Sequence, residues 1–450
     1  MPEAAVADGD LNMPPGFRMT ELGSLPSDWS VKQIQEICTV TIRTRGLSLP
    51  GTVNFIPMKL IPDGAITAAS YRKVSLRELR SGVFCERGDI LVPKITPCFE
   101  NGRLGIVPEG DNDPFFATTE VFPLKPGSEV DRYFLFYVLT ERGLRRELAS
   151  KMEGTTGRRR VPKHVLLTRA VPLPPLEEQR AIARVLRTIQ RAKEATEKVI
   201  AATRELKKSL MHHLFTYGLV PITQTSGVSL KETAIGVISE QSILTRIGDV
   251  CEHPQYGMTA EAAKDGDLKL LRITDIQDSG VNWNAVPFCN AHGSAVAKYL
   301  LRPGDVVVAR IGATTGKSFL VEGCPPTTYG SYLIRLRARP EKIDPRFLKY
   351  FTETGMYWSQ IDAAKGGKLK LGVNIPILQG LVLPAPAIEE QRRIAATLAV
   401  VDAKMRAEER GIQSLSELFH TLLRDLMSGR RRVRGTEGSA EATTRDGDRS

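Results

Sequence analysis

The chain has 450 residues, a net charge of +11 and 25% charged residues, with an apolar fraction ordinary for a folded globular protein. No run of eighteen uncharged apolar residues occurs, so no membrane-spanning helix is expected. The six cysteines are scattered without a C-x-x-C pair and no H-E-x-x-H is present. A structural zinc centre is therefore not expected, and the cysteines read as small buried hydrophobes.

Residues 1–19 lack the basic start and apolar run of a secretory signal. They read as a disordered tail of a cytoplasmic protein. Residues 20–175 follow as short apolar runs punctuated by Gly, Pro, Asn and Asp, such as "GDILVPKI" and "GRLGIVPEG", the pattern of strands and turns. One helical segment, 132–149, interrupts them. Cations that could face a ligand are Arg43 and Arg45 in "TVTIRTRGLSLPG", Lys94, Arg103, and a basic Gly-rich run with Arg158, Arg159, Arg160 and Lys163.

"PLPPLEEQ" then opens a long helix over 176–218, because proline suits a first turn and paired glutamates suit its positive end. Gly218 is its stop. Rows at sevens are Ile182, Ile189, Thr196, Thr203 and Leu210, and Val185, Ala192, Val199, Leu206 and His213. Residues 219–387 repeat the strand-and-turn pattern, with a helical segment at 345–363. They carry Gln255, Tyr256, Lys264, Arg310 and Lys317, and a second basic Gly-rich run with Lys365, Lys368 and Lys370. "PAPAIEEQ" opens a second long helix over 388–429, ending at Gly429. Its rows are Ile394, Val401, Glu408, Leu415 and Leu422, and Leu398, Met405, Ile412, Phe419 and Leu426. Residues 430–450 read as a disordered basic tail.

The chain is thus an internal repeat. Glu177-Glu178-Gln179-Arg180 recurs as Glu389-Glu390-Gln391-Arg392, "DRYFLFYVLTERG" as "DPRFLKYFTETG", and "RGDILVPKI" as "PGDVVVARI". Two units of roughly 200 residues fill nearly all of it. The paired heptad rows predict an antiparallel coiled coil about 60 Å long, its interface formed by Ile182, Val185, Ile189, Val199, Leu206 and Leu210 against Ile394, Leu398, Val401, Met405, Ile412, Leu415, Phe419, Leu422 and Leu426. The expected fold is α+β, with two β-rich domains carried by a pseudo-twofold pair of helices. Two unlike readers on a rigid spacer suit an asymmetric split site on DNA, and the positive charge favours that polyanion.

A variable β-rich domain, then "PLPPLEEQRAIARVL", then a long helix, all repeated once after the entry segment "LGSLPSDWSVKQIQEI", resembles the specificity subunit of type I restriction–modification enzymes. The resemblance implies target recognition domains at 20–175 and 219–387 and spacer helices at 176–218 and 388–429. It implies double-stranded DNA, two methyltransferase subunits and two motor–nuclease subunits as partners. It also implies no chemistry in this chain: S-adenosylmethionine, ATP and Mg2+ serve the partner subunits.

Two other functions compete. "RIGATTGKSF" looks like a phosphate-binding loop, but G-x-x-x-x-G-K-[ST] requires glycine at 311, where Ile stands, and a helix after it. The sequence predicts strand–turn–strand from Val306 to Leu320 instead. Asp89 and Asp305 read as turn residues ahead of buried strands, and no [DN]-P-P-[YF] methyltransferase motif occurs. The third possibility is a coiled-coil scaffold that does not touch DNA.

Overall fold

The computed structural model describes residues 15–43, 50–63, 68–155, 157–277, 280–291, 294–364 and 372–433, with the side chains of 294 and 295 left aside. The chain divides into two compact units, Met1–Lys198 with Gly411–Ser450, and Val199–Arg410. Each long helix therefore gives one half to each unit.

In the first unit a four-stranded antiparallel sheet runs in the order Cys38–Val40, Val121–Pro126, Ile90–Pro93, Gly105–Ile106. A second sheet of four strands includes one parallel pair, Phe115–Ala117 beside Thr52–Ile56. The second unit repeats the plan. Its four-stranded sheet is Gln255–Tyr256, Leu333–Arg337, Asp305–Ala309, Ser318–Leu320, and its other sheet has a parallel pair, Leu268–Leu271 beside Thr327–Tyr329. Ile90–Pro93 and Asp305–Ala309 are buried at every residue, which is why both read as continuous apolar runs. Asp89 and Asp305 precede or open these strands and accept from the N–H groups of Glu86 and Arg302, both at 2.8 Å. They are turn residues, as expected.

The strand that feeds each long helix pairs with the strand that opens its unit: Ala170–Leu173 with Ser30–Gln33, and Val382–Ala385 with Ile243–Arg246. The helices run over Leu176–Tyr217 and Ile388–Met427. Gly218 and Gly429 follow with φ of 75° and 66°, the left-handed conformation that stops a helix at little steric cost.

A glutamine explains the recurring E-E-Q. Gln179 is 1% exposed. Its Oε1 accepts from Asp131 N–H at 2.8 Å, and its Nε2 donates to the carbonyls of Glu129 and Pro174 at 3.1 and 2.9 Å. Asp131 in turn caps helix Arg132–Thr140 through the N–H groups of Tyr133 and Phe134. Gln391, also 1% exposed, accepts from Asp344 N–H at 3.0 Å and donates to the carbonyls of Lys342 and Pro386 at 3.3 and 2.9 Å. Asp344 caps Pro345–Phe351. One amide thus fastens the domain helix to the first turn of the long helix in each unit.

Inside each unit the two helix halves run antiparallel. In the first, Glu178 meets Arg432 at 2.7 Å, while Gln190 and Lys193 line one cavity with Phe419 and His420. In the second, Glu390 accepts from Leu219 N–H, and Lys207 meets Asp402 at 2.7 Å. The first core gathers Trp29, Phe134 and Phe136 with Ile182, Leu186, Ile189, Phe419, Leu422 and Leu426. The second gathers Phe347, Phe351 and Tyr357 with Met211, Leu214, Phe215, Ile394 and Leu398.

Several expectations are corrected. On the first helix the second inward row is Leu186, Lys193, Ile200, Lys207 and Leu214, one residue beyond the predicted one. Val199 and Leu206 are 42% and 59% exposed, and Val185 is half-buried against the first core. A stripe alternating three and four residues can start with either step. The more apolar choice misleads here because Lys207 is accepted inward, paired to Asp402 and Glu353, each at 2.7 Å. Leu210, Val401, Met405, Ile412 and Leu415 are half-buried. Of the two predicted tails, residues 1–14 and 434–450 lie outside the described residues, and the inner ends are held in place. Phe17–Thr20 forms a hairpin with Gly23–Pro26, and Arg432 grips Asp28 and Glu178.

The inward row makes a direct test. Leu186→Ala should cost about 2–5 kcal/mol, whereas Leu206→Ala should stay within about 0.5 kcal/mol. Urea unfolding followed by circular dichroism compares the two.

Candidate nucleic-acid interface

Strand register gathers several of the predicted cations of each unit at one end of its antiparallel four-stranded sheet, whereas Lys264 follows Ala263, which bridges to Phe288 of the three-stranded sheet. In the first unit Lys94 follows Ile90–Pro93, and Pro93 pairs with Val121. Leu91 pairs with Gly105, so Arg103 falls at the same end. Thr41 N–H donates to the Pro123 carbonyl at 2.9 Å, which sends the chain toward this end with Arg43 two residues on. The basic Gly-rich run is laced to it: Thr96 N–H donates to the Arg159 carbonyl at 2.9 Å and Val161 N–H to the Lys94 carbonyl at 2.8 Å.

In the second unit the same construction recurs. Arg310 follows Asp305–Ala309, and Val373 N–H donates to its carbonyl at 2.8 Å, the counterpart of the Val161–Lys94 bond. Tyr256 lies on the neighbouring edge strand, with Tyr256 opposite Ile334. Lys317 enters through its carbonyl, which accepts from Ala309 N–H at 2.8 Å. Lys94 sits over the Phe122 ring at 5.1 Å and Arg310 over the Tyr256 ring at 4.7 Å. A cation held on an aromatic face has a restricted position from which to meet a base edge.

The side chains differ in how free they are. Arg158 and Lys163 are exposed in the first unit and Lys264 in the second, and none of the three has an ion pair among the described residues. Arg159 is half-buried and donates to the Met152 carbonyl at 2.8 Å. Arg160 forks onto Glu120 at 2.9 and 2.8 Å, and that bond holds the Glu120 carboxyl below its ordinary range. Arg103 donates to the carbonyls of Met58 and Ile61 at 2.8 and 2.9 Å and pairs with Asp63 at 2.9 Å. It braces a loop and has no free face to offer. Gln255 is similarly taken, accepting from Arg335 at 2.7 Å. Arg45, Lys365, Lys368 and Lys370 lie outside the described residues. Arg43 is exposed beyond its strand.

Tyr332 escaped the sequence reading. It is 56% exposed and its carbonyl accepts from Arg310 N–H at 3.0 Å, which places an aromatic beside the cation. Nothing in its sequence context singled it out. The segment after Gly316-Lys317 is strand Ser318–Leu320, antiparallel to Asp305–Ala309. A helix N-terminus that would hold phosphates is missing there. Among the described residues no cluster of His, Cys, Asp and Glu could hold a metal ion, and no helix is long and apolar enough to cross a membrane.

A family model described as "Type I restriction modification DNA specificity domain" matches residues 26–203 and 244–417. The specificity subunit of the type I restriction enzyme MjaVIII from Methanocaldococcus jannaschii is 23% identical over 422 residues, spanning 91% of this chain and 94% of the relative. A solved S subunit of a type I restriction-modification system from M. genitalium is 16% identical, with 92% of this chain and 99% of that chain covered and a TM-score of 0.57. A chain from a structure on complex assembly and conformational transition of the type I R-M system is 20% identical, covering 90% and 99%, with a TM-score of 0.53.

The bracing and free arginines should separate in stability. Arg103→Ala leaves two carbonyls without their donor and should cost about 1–3 kcal/mol. Arg158→Ala should shift stability by no more than about 0.5 kcal/mol, and the urea midpoints of the two variants report the difference.

Proposed function

This chain belongs to the type I restriction–modification DNA specificity family, and from that membership we propose that its two units read the two unlike halves of an asymmetric, split DNA site. It is the DNA specificity subunit of such a system. The observation that carries the two-reader proposal is the repeated sheet end, built on the same backbone bonds in both units but with different side chains. Arg158, Lys163 and Lys264 take phosphates and set position. Lys94, Arg310, Tyr256 and Tyr332 are the candidates for base edges. Arg43 and Lys317 stand at the same ends; Lys365, Lys368 and Lys370, outside the described residues, are assigned to the second reader from their sequence alone.

In this proposal residues 20–175 and 219–387 are the target recognition domains, and the long helices fix the gap between half-sites. The chain does no chemistry. Two methyltransferase subunits dock on it and two motor–nuclease subunits join them inside the cell, with S-adenosylmethionine, ATP and Mg2+ used by those partners. Neither competing function gains support: the phosphate-loop candidate is a hairpin, and a scaffold indifferent to DNA does not match the family.

Methylome sequencing of the host with and without the gene tests the proposal. One asymmetric motif with an internal unread gap should vanish on deletion; a continuous or palindromic motif would overturn the two-reader scheme. Inserting one heptad into each long helix should lengthen that gap and leave both half-sites unchanged. In DNA-binding titrations with the assembled complex, Arg158→Ala with Lys163→Ala should weaken all sequences alike. It should also reduce the slope of log K against log salt by about 2.

A further inference from the structure

The first unit contains a cavity of about 680 Å³ that DNA reading does not use. It is lined by Arg142, Arg145, Arg146 and Lys193, with Gln190 at its wall and His420 beside Arg142. Gln190 is 3% exposed; its Oε1 accepts from the Tyr137 hydroxyl at 2.9 Å, and its buried Nε2 has no partner among the described residues. Arg145 is 7% exposed. Its Nη atoms donate to the carbonyls of Leu139, Phe99 and Arg103 at 3.1, 2.6 and 3.2 Å, but its Nε is also buried without an acceptor. No carboxylate pairs with this buried guanidinium. Burial pushes its pKa down to about 10.

Unpaired buried donors are costly. Arg142, Arg146 and Lys193 lack an ion pair among the described residues. Of the two acids at the rim, Asp63 is bound to Arg103; Glu100 accepts from the Thr96 hydroxyl at 2.9 Å, and its charge acts on Arg145 without a direct ion pair. Four cations thus face two acids, and the Arg145 guanidinium rests over the Phe99 ring at 4.7 Å.

The second unit shows what satisfies the matching place. Tyr350 corresponds to Tyr137 and Asp402 to Gln190. There the Tyr350 hydroxyl donates to Asp402 at 2.8 Å, and Asp402 is paired to Lys207 at 2.7 Å. The second unit carries its own anion; the first has a buried amide donor in the cavity wall and cations around it. We infer that this cavity binds a small oxyanion of phosphate or carboxylate chemistry, to which Gln190 Nε2 donates and which Arg142, Arg145, Arg146 and Lys193 neutralise. This goes beyond the DNA-reading proposal and uses none of its residues.

Calorimetric titration of the full chain with inorganic phosphate, and separately with citrate, tests it. Saturable binding of either supports the site, and which of them binds identifies the chemistry. Gln190→Glu supplies the anion internally, as Asp402 does, and should weaken binding at least tenfold while keeping the tyrosine bond. The exposed Arg146→Ala should weaken it severalfold, and Lys208→Ala, an exposed cation of the long helix that belongs to neither site, should leave it unchanged. Absence of saturable binding by both anions overturns the inference. So does binding that Arg146→Ala leaves intact, or binding that Lys208→Ala abolishes.

Discussion

The architecture hangs on one buried amide per unit. Gln179 and Gln391 each join three backbone groups: the N–H of a capping aspartate, a carbonyl just before it, and the carbonyl of a proline just ahead of the long helix. An amide accepts with its oxygen and donates twice with its nitrogen, which matches one N–H and two carbonyls. A carboxylate would face two carbonyls, and an apolar side chain would leave three polar groups buried without partners. The glutamine therefore sets the angle at which each domain helix, and the sheet packed on it, leaves the spacer.

Around this shared fastening the two units differ where their helices face inward. The first packs Tyr137 against Phe419, with ring centroids 5.9 Å apart, and places Gln190 below. The second sets Lys207 among Asp402, Glu353 and Tyr350. A lysine opposite Tyr137, or a phenylalanine among those acids, would leave charge or hydroxyl unmet. Each half-helix is thereby matched to its own neighbour.

The repeat, the mixed fold and the helix limits were legible because they rest on local patterns: proline and glutamate at helix starts, glycine at their ends, apolar runs before turns. The inward face of the first helix was half legible. Ile182 and Ile189 lie on it under either phase of the heptad, whereas choosing between Leu206 and Lys207 requires knowing that Asp402 and Glu353 wait opposite. The same limit applied to the cations. Arg103 and Arg160 look as available in sequence as Arg158, and only their partners, the loop carbonyls and Glu120, remove them. Gln179 stood within the motif that revealed the family, yet its bonding reaches back to Asp131 and could not be seen from its neighbours.

The division of the chain has a bearing on how it is made. The second unit is one continuous stretch, Val199–Arg410, whereas the first needs Met1–Lys198 together with Gly411–Ser450. On the ribosome the later unit can close as soon as it emerges, while the earlier one, begun first, waits for the last helix turns to cover Ile182, Leu186 and Ile189. Nascent chains thus carry an uncovered apolar stripe until translation ends, and premature termination inside the final helix would spoil the domain encoded at the opposite end of the gene.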